Sequence, residues 1–314
     1  MPALKRSFYQ GYRLLSSFRY HYPAPDYAQW LARYWQLQPP HKKAIQRFKA
    51  SLPLSAMYSV VVDARNASAI EVEQSLTSIR AQEGFVTEPL IWQQHAPEIS
   101  TQYVLYIKAG CVLRPWAVAW FLWQQQQEPK LDCIYSDHDH YTAEGEMKMP
   151  YFKPDWSLEL QYSTAYVGEV VWVKKAVYEE NCRCYAQGFS VYGLLLELGV
   201  QATAQIGHIP ALLWSAPSGR ALMDVSQHMQ VLSAHLQRSG IQAKVQLDKT
   251  GVVRVRYAAP QPKPLVSIII PTRDMLHFLQ PCVESIVRLT QWENYEIIIA
   301  DNQSEDPQTL AYFQ

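Results

Sequence analysis

Mostly polar residues follow each of two apolar runs near the end of the sequence. They are Pro271, Thr272, Arg273 and Asp274 after the run Val266–Ile270, and Asp301 and Asn302 after the run Tyr295–Ala300. Short apolar runs are typical of buried parallel strands, and open parallel sheets bind ligands outside the carboxyl ends of such strands. Carboxylates accept hydrogen bonds from a base or a ribose, and a guanidinium donates them. These residues therefore indicate a nucleotide-binding half-site, although Asp and Asn after strands also form ordinary turns.

Alternating acidic and imidazole side chains form a second candidate site in the middle of the sequence. Asp137 and Asp139 alternate with His138 and His140. Oxygen and nitrogen ligands of this kind can converge on one cation, so Asp137 and Asp139 are candidate metal ligands. The alternative is a surface segment that binds no metal.

The candidate residues need a sheet to position them, and the sequence predicts one. Other short apolar runs, rich in β-branched and aromatic residues, are typical of buried strands. They are Tyr58–Val62, Tyr103–Ile107, Cys133–Tyr135 and Glu169–Val173. Apolar residues recur at helical spacing in Glu71–Arg80 and Leu194–Leu198. This alternation of strands and helices predicts an α/β layer fold.

The first part of the sequence has a helical pattern. Tyr27, Trp30, Leu31 and Tyr34 recur at three- and four-residue steps. Before them, residues 5–19 mix basic and aromatic side chains. Two interpretations stay open for that stretch: a helix lying on an anionic membrane surface, or a helix packed on the next domain.

An internal repeat indicates a second domain of the same kind. Tyr58–Asn66 aligns with Val266–Asp274, at a spacing of about 208 positions that is typical of whole domains. The predicted organisation is a helical segment at 1–54, an α/β domain at 55–257, a proline-rich linker at 258–264 and the start of a second α/β domain at 265–314. About 50 residues are fewer than the roughly 100–200 of a typical domain, so we expect the chain to stop within the second domain.

Three stretches resemble one enzyme family. The stretch Pro264–Phe313, PLVSIIIPTRDMLHFLQPCVESIVRLTQWENYEIIIADNQSEDPQTLAYF, resembles the opening of a family 2 glycosyltransferase domain. Ile134–Gln161, IYSDHDHYTAEGEMKMPYFKPDWSLELQ, is similar to bacterial multidomain enzymes of O-antigen and other surface-polysaccharide synthesis, and Asp26–Leu37 is similar to the segment before their first transferase domain. The resemblance implies a GT-A fold, the Rossmann-like fold of nucleotide-diphospho-sugar transferases, for both α/β domains.

The resemblance also implies an activity and its partners. The reaction is the inverting transfer of a hexosyl-type sugar from a nucleotide-diphosphate sugar to a glycan or a lipid-linked glycan acceptor. It uses Mg²⁺ or Mn²⁺ on the leaving diphosphate and a carboxylate that deprotonates the acceptor. Asp155 and Trp156 are acceptor-side candidates, although Trp156 also suits a packed core. The segment of Asp137 and Asp139 then has an acceptor-side role as the alternative to metal binding.

The first α/β domain departs from the family pattern at three places. Lys108 and Gly110 stand where the family has the aspartates of its metal motif, so we expect no metal there. Val191 and Gly193 stand at the positions of the acidic cluster that contains the catalytic base, and neither accepts a proton. No aspartate for the nucleotide is found in Pro89–His95. We therefore expect this domain to have lost donor chemistry.

Two functions stay open after these observations. One is a family 2 glycosyltransferase, with a nucleotide half-site in the second domain whose metal ligands and base would follow Gln314, so that the chain alone has no turnover. The other is an inert GT-A module that binds a glycan or a partner protein as a scaffold.

Composition excludes some classes of partner. Lys and Arg number 28, and Asp and Glu also number 28, so there is no basic field to hold nucleic acid. No apolar run is long enough to span a bilayer. We predict a cytoplasmic protein, with peripheral association at the inner membrane and self-association through the C-terminal strands as further possibilities.

Overall fold

The computed structural model describes residues 27–34, 39–52, 58–85, 87–184, 189–220 and 224–314. The stretch 5–19, for which a membrane-surface or packed helix was predicted, lies outside these residues. Contacts between Cα atoms divide the chain into two compact units, Met1–Arg256 and Tyr257–Gln314.

The first unit alternates helices and strands. Its described helices are α1 Tyr27–Tyr34, α2 Pro39–Ala50, α3 Ala69–Arg80, α4 Ala117–Gln127, α5 Leu158–Thr164, α6 Lys175–Cys184, α7 Val191–Gly199 and α8 Val225–Arg238. Its described strands are β1 Tyr58–Asp63, β2 Leu90–Trp92, β3 Tyr103–Lys108, β4 Val112–Leu113, β5 Cys133–Tyr141, β6 Met147–Tyr151, β7 Val170–Lys174, β8 Ile206–Pro217, β9 Ala243–Leu247 and β10 Val253–Tyr257. The strands and helices that were predicted from apolar runs and helical spacing are confirmed. Strand β5 continues six residues beyond its predicted end at Tyr135 and buries Asp137 and Asp139, so the expected surface position of these two residues is wrong.

An eight-stranded mixed sheet is the centre of this unit. Its strand order is β2-β1-β3-β7-β5-β8-β4, with β6 paired to β5. Strands β2, β1 and β3 are parallel, β7 runs antiparallel to both β3 and β5, and β5 is parallel to β8. The predicted α/β class is confirmed.

Apolar packing on both faces explains why the central strands are so rich in valine. Val60 and Val62 of β1 lie in one buried cluster, and Val61 lies in another, because successive side chains of a strand point to opposite faces. Helix α3 begins at a capping box in which Ser68 and Glu71 satisfy each other's backbone N–H groups. The sheet thereby fixes the carboxyl ends of β1 and β3 side by side.

The second unit contains β11 Val266–Thr272, α9 Leu276–Leu289, β12 Tyr295–Asp301 and α10 Pro307–Tyr312. Strands β11 and β12 are parallel, with Thr272 opposite Asp301 at their carboxyl ends. The turn after β11 matches the turn after β1. Asn66 and Asp274, which the repeat aligns, both have left-handed backbone conformations, with φ of 61° and 50°. Asn and Asp are among the few non-glycine residues that adopt this conformation readily.

Candidate functional site

A buried carboxylate lies at the carboxyl end of β1. Asp63 is 1% exposed. Arg65 donates to both of its oxygens, from Nε at 2.8 Å and from Nη2 at 2.7 Å. The Tyr106 hydroxyl donates at 2.5 Å, and Lys108 Nζ donates at 3.0 Å. We call Asp63, Arg65, Tyr106 and Lys108 the strand-end cluster.

Register explains how the strand-end cluster forms. Asp63 is the last residue of β1 and lies opposite Lys108, the last residue of β3. Tyr106 precedes Lys108 by two residues, so its side chain leaves the same face of β3. Burial alone would raise the pKa of Asp63, but the hydrogen bonds from Arg65 and Tyr106 and the nearby positive charges lower it to about 2. The carboxylate is therefore ionised and fully engaged within the protein.

Arg65 fills the space beside the strand ends. Its guanidinium carbon lies 3.9 Å from the ring centroid of Trp92, the last residue of β2. Its Nη2 also donates to the carbonyl oxygen of Phe189 at 3.0 Å. Lys108 Nζ donates to the carbonyl oxygen of Arg65 at 3.2 Å. The carboxyl ends of β1, β2 and β3, where open parallel sheets bind ligands, are thus occupied by the protein's own cations.

A second cation lies at the position of the expected metal motif. Gly110 has φ of 92°, and a Cβ there would lie 2.8 Å from Arg220 Nη1. Arg220 donates to the carbonyl oxygen of Ala109 at 2.7 Å, and its Nε lies 3.3 Å from Glu169. Burial raises the pKa of Glu169. With Lys108 paired to Asp63 and Arg220 beside position 110, these residues do not fit a divalent cation.

The positions of the expected catalytic base lie in the first turn of α7. The side chain of Ser190 caps this helix by accepting from the N–H of Gly193 at 3.2 Å. Val191 is buried in the same core cluster as Phe189. Neither Val191 nor Gly193 offers an atom that accepts a proton from a substrate.

Asp137 and Asp139 have separate sets of partners. Arg114 Nη2, the Tyr27 hydroxyl and the Ser215 hydroxyl donate to Asp139 at 2.6, 2.5 and 2.5 Å. Asp137 accepts from the N–H of Lys153 at 2.9 Å, and its Oδ1 lies 2.9 Å from His208 Nε2. Among the described residues, no group of three or more His, Cys, Asp or Glu is placed to hold a metal ion.

The two acceptor-side candidates lie in different environments. The side chain of Asp155 is exposed, with Oδ1 3.2 Å from His208 Nδ1. Trp156 is half-buried and stacks near Tyr166, with ring centroids 6.3 Å apart. His208 lies between Asp137 and Asp155 and stacks on Tyr135 at 4.8 Å. Asp155 is thus open to solvent, whereas Trp156 contributes to packing.

Two buried bases lie next to this region. Lys153 Nζ donates to the carbonyl oxygens of Ser136 and Val167 at 2.5 and 2.7 Å, and burial lowers its pKa to about 7. His138 stacks on Trp214 at 4.3 Å, and neither of its ring nitrogens has a hydrogen-bond partner. Burial lowers the pKa of His138 to about 2.

In the second unit, a mostly apolar groove lies at the carboxyl ends of β11 and β12, with Thr272, Arg273 and Asn302 as its polar lining residues. It has a volume of about 460 Å³ and is lined by Ile270, Pro271, Thr272, Arg273, Met275, Phe278, Leu279, Cys282 and Asn302. Asp274 and Asp301 bind the following turn instead. Asp274 accepts from the N–H groups of Glu305 and Asp306 at 2.7 and 2.8 Å, and Asp301 accepts from the Ser304 hydroxyl at 2.5 Å. The strand ends thus bring Pro271, Thr272, Arg273 and Asn302 together in one groove.

One family model matches the part of the chain that contains this groove. Residues 267–313 match the family model described as glycosyl transferase family 2. We call these residues the family 2 segment. The groove lies within it, and its role as a nucleotide half-site stays a prediction.

Two curated relatives each match about two thirds of the chain. The chain is 31% identical over 223 residues to the O-antigen biosynthesis protein RfbC of Myxococcus xanthus, covering 68% of this chain and 17% of that protein. It is 32% identical over 228 residues to the uncharacterized protein y4gI of Sinorhizobium fredii, covering 67% of this chain and 25% of that protein. The chain thus spans about a quarter or less of the length of these relatives.

Among solved structures, glucosyl-3-phosphoglycerate synthase of Mycobacterium tuberculosis is 13% identical, with a TM-score of 0.39, over 69% of this chain and 91% of that one.

Within the described ranges, none of the helices combines the length and hydrophobicity needed to cross a bilayer.

Sequence reasoning missed the strand-end cluster and Arg220. One signal was present: the repeat aligns Arg65 with Arg273, the arginine already assigned to the groove. No local signal pointed to Arg220 or His208, because their partners lie far away in the sequence. His208 lies on β8 opposite Tyr135, and Arg220 follows the turn after β8, so the pairing of β8 with β5 brings both to their partners.

Proposed function

We propose that this chain is part of a glycosyltransferase of bacterial surface-polysaccharide synthesis, with an O-antigen-like glycan as product. The family 2 segment binds the nucleotide of a nucleotide-diphosphate sugar, and the acceptor is a glycan or a lipid-linked glycan. The groove at the carboxyl ends of β11 and β12 carries this proposal, since it places an exposed guanidinium and an amide at adjacent strand ends.

Each groove residue has a defined task in this proposal. Arg273 donates hydrogen bonds to the nucleotide, and Asn302 both donates and accepts. Asp301 lies beside the groove and not in its lining, and it accepts from the base or the ribose once Ser304, whose N–H and hydroxyl both donate to it, turns away. The sugar transfer is hexosyl-type and inverting. A divalent cation on the leaving diphosphate stabilises developing negative charge, and we assign no such step to the first unit because Lys108, Gly110 and Arg220 do not fit the ion.

Calorimetric titration of the full chain with UDP, GDP and dTDP in the presence of Mg²⁺ tests the nucleotide site. We expect one of these nucleotides to bind. Arg273→Gln and Asp301→Asn should each weaken binding about tenfold, because each removes a charge-assisted hydrogen bond.

Arg288→Gln is the matched control, since Arg288 is an exposed arginine of the same unit outside the groove. Equal affinity of Arg273→Gln and Arg288→Gln would contradict the proposed site. Binding by none of the three nucleotides would also contradict it.

A second candidate function applies to the first unit. The strand-end cluster and Arg220 occupy its ligand edge, which favours a catalytically inert module that binds a glycan or a partner protein as a scaffold. We place the protein in the cytoplasm, peripherally associated with the inner membrane.

We also propose self-association through the family 2 segment. Ile269 and Ile298 lie opposite each other on β11 and β12 and are 65% and 42% exposed. Sedimentation velocity of the wild type and of Ile298→Thr tests this point: a monomeric wild type would contradict it.

A further inference from the structure

Helix α4 presents two tryptophans to solvent. Trp120 and Trp123 are 39% and 44% exposed, while Phe121 and Leu122 between them are buried in the core. Gln124 and Gln127 continue the same face, because residues three and four apart lie together on a helix. We call Trp120, Trp123, Gln124 and Gln127 the tryptophan stripe. The buried face of α4 already anchors the helix, so packing on the described core does not explain the exposed rings.

The two indole rings form a defined shape. Their centroids are 5.8 Å apart and their planes make an angle of 81°. Edge-to-face packing holds each ring against the other, so the stripe offers a preformed aromatic surface with amide groups beside it. An amide side chain both donates and accepts hydrogen bonds. A surface of this kind matches a ligand that has apolar C–H faces and hydroxyl groups that both donate and accept.

Charge distinguishes between the partners that such a surface can bind. Helix α4, AVAWFLWQQQQ, contains no ionisable side chain. The first charged residue after it is Glu128, which is exposed and accepts from Gln124 Nε2 at 2.6 Å. Interfacial membrane helices carry Lys and Arg on their polar face. A carboxylate at the end of the stripe disfavours anionic lipid, so the stripe fits an uncharged ligand.

Area argues against a second copy of the chain as the occupant. An aromatic side chain buries roughly 150–250 Å² when fully covered, so two rings exposed to less than half amount to on the order of 200 Å². A stable protein interface covers about 800 Å² on each partner.

We propose that the tryptophan stripe binds a neutral glycan chain. Sugar rings stack on Trp120 and Trp123, and their hydroxyl groups exchange hydrogen bonds with Gln124 and Gln127. This inference deepens the second candidate function, glycan binding by the first unit. It does not depend on the nucleotide groove, which belongs to the second unit, so a failed nucleotide titration leaves it standing.

Affinity electrophoresis of the full chain in gels that contain neutral polysaccharides tests this inference. The probes are dextran, a galactomannan, a xyloglucan and hydroxyethyl cellulose. We expect retardation by at least one of them. Trp120→Ala and Trp123→Ala should each weaken that binding about tenfold, and Trp120→Phe should retain most of it because phenylalanine keeps an aromatic face.

Ile70→Ala is the matched control, since Ile70 is an exposed apolar side chain of helix α3. Far-ultraviolet circular dichroism verifies that each variant is folded. Retardation that is equal in the wild type and in Trp120→Ala and Trp123→Ala overturns the proposal, as does the absence of retardation by all four probes. Binding to phosphatidylglycerol vesicles or dimerisation in sedimentation runs, when lost in the tryptophan variants while glycan binding persists, also overturns it.

Discussion

Asp63 determines the chemistry of its edge of the sheet. Its carboxylate forms ion pairs with both Arg65 and Lys108 and accepts from Tyr106, so three side chains depend on one buried charge. The side chains of the strand-end cluster bind one another at the strand ends, whereas Arg273 and Asn302 of the family 2 segment line an open groove.

Replacement of Asp63 by asparagine tests this dependence. Asp63→Asn leaves Arg65 and Lys108 without their counter-charge, and we expect the free energy of unfolding to fall by about 2–4 kcal/mol. Urea denaturation measures the change. Glu180→Gln, at an exposed position of α6, should change it by less than about 0.5 kcal/mol. A similar small effect of Asp63→Asn would show that the cluster contributes little.

The buried imidazole of His138 predicts a pH dependence. Its folded pKa of about 2 lies below the unfolded value of 6.5, so the unfolded state binds the proton first and stability falls as pH drops below 6.5. Between pH 7 and pH 5 this group should cost about 2 kcal/mol. The His138→Phe variant keeps the stacking on Trp214 but has no group to protonate. Between pH 7 and pH 5, its free energy of unfolding should therefore fall by about 2 kcal/mol less than that of the wild type. Urea denaturation at both pH values measures the difference, with His95→Asn as the exposed control. An equal change of the free energy of unfolding in the wild type and in His138→Phe would contradict the prediction.

At the scale of elements, the two copies of the repeat differ in how their strands are covered. Val60, Val61 and Val62 of β1 are fully buried, whereas the aligned residues Ile268–Ile270 of β11 are half-buried or exposed. Paired strands with few buried contacts have low local stability.

Hydrogen exchange should reveal this difference. We expect peptides from β11 and β12 to exchange their amide hydrogens at least about 100-fold faster than peptides from β1 and β3, because their hydrogen bonds open locally at lower free energy. Hydrogen–deuterium exchange with mass spectrometry on the full chain compares both pairs in one experiment. Equal protection of the two pairs would refute the expectation.

Strands were predictable from sequence because their burial leaves continuous β-branched runs, as in Tyr58–Val62. The antiparallel direction of β7 and its position between β3 and β5 were not, because strand pairing depends on contacts between residues far apart in sequence. The same reason explains why some site residues were identified from the sequence and others were not. Thr272 ends β11 and Arg273 follows it directly, so both were identified from the apolar run before them. The pairing of Asp63 with Lys108 needs a register that no local pattern encodes.

At the scale of the whole molecule, the chain consists of two compact units that meet in sequence near Tyr257. The residues between β10 and β11 are in neither a helix nor a strand, and they include the proline-rich stretch predicted as a linker. Exposed segments of this kind are the preferred sites of proteolytic nicking.

Limited chymotrypsin digestion tests the linker at 258–264. Tyr257 is 55% exposed and precedes this segment, so we expect cleavage after Tyr257 to release the family 2 segment before the first unit is degraded. Tyr257→Ser should slow the appearance of this fragment. Mass spectrometry of the early fragments identifies the site, and first cleavage inside the strands of the first unit would oppose the predicted boundary.

The ion pairs at the strand ends limit which substitutions could build a cation site there. Aspartate placed at position 108 alone would face Asp63 across the sheet, with Arg65 as the remaining counter-charge. Aspartate at position 110 would have to adopt the φ of 92° found there, which strains any side chain and which glycine tolerates best, and it would displace the Arg220 guanidinium. A metal site would therefore require changes at positions 108 and 110 together with a different position of the Arg220 guanidinium. Single substitutions alone therefore do not build a cation site at these strand ends, and we expect that an engineered one needs all of these changes at once.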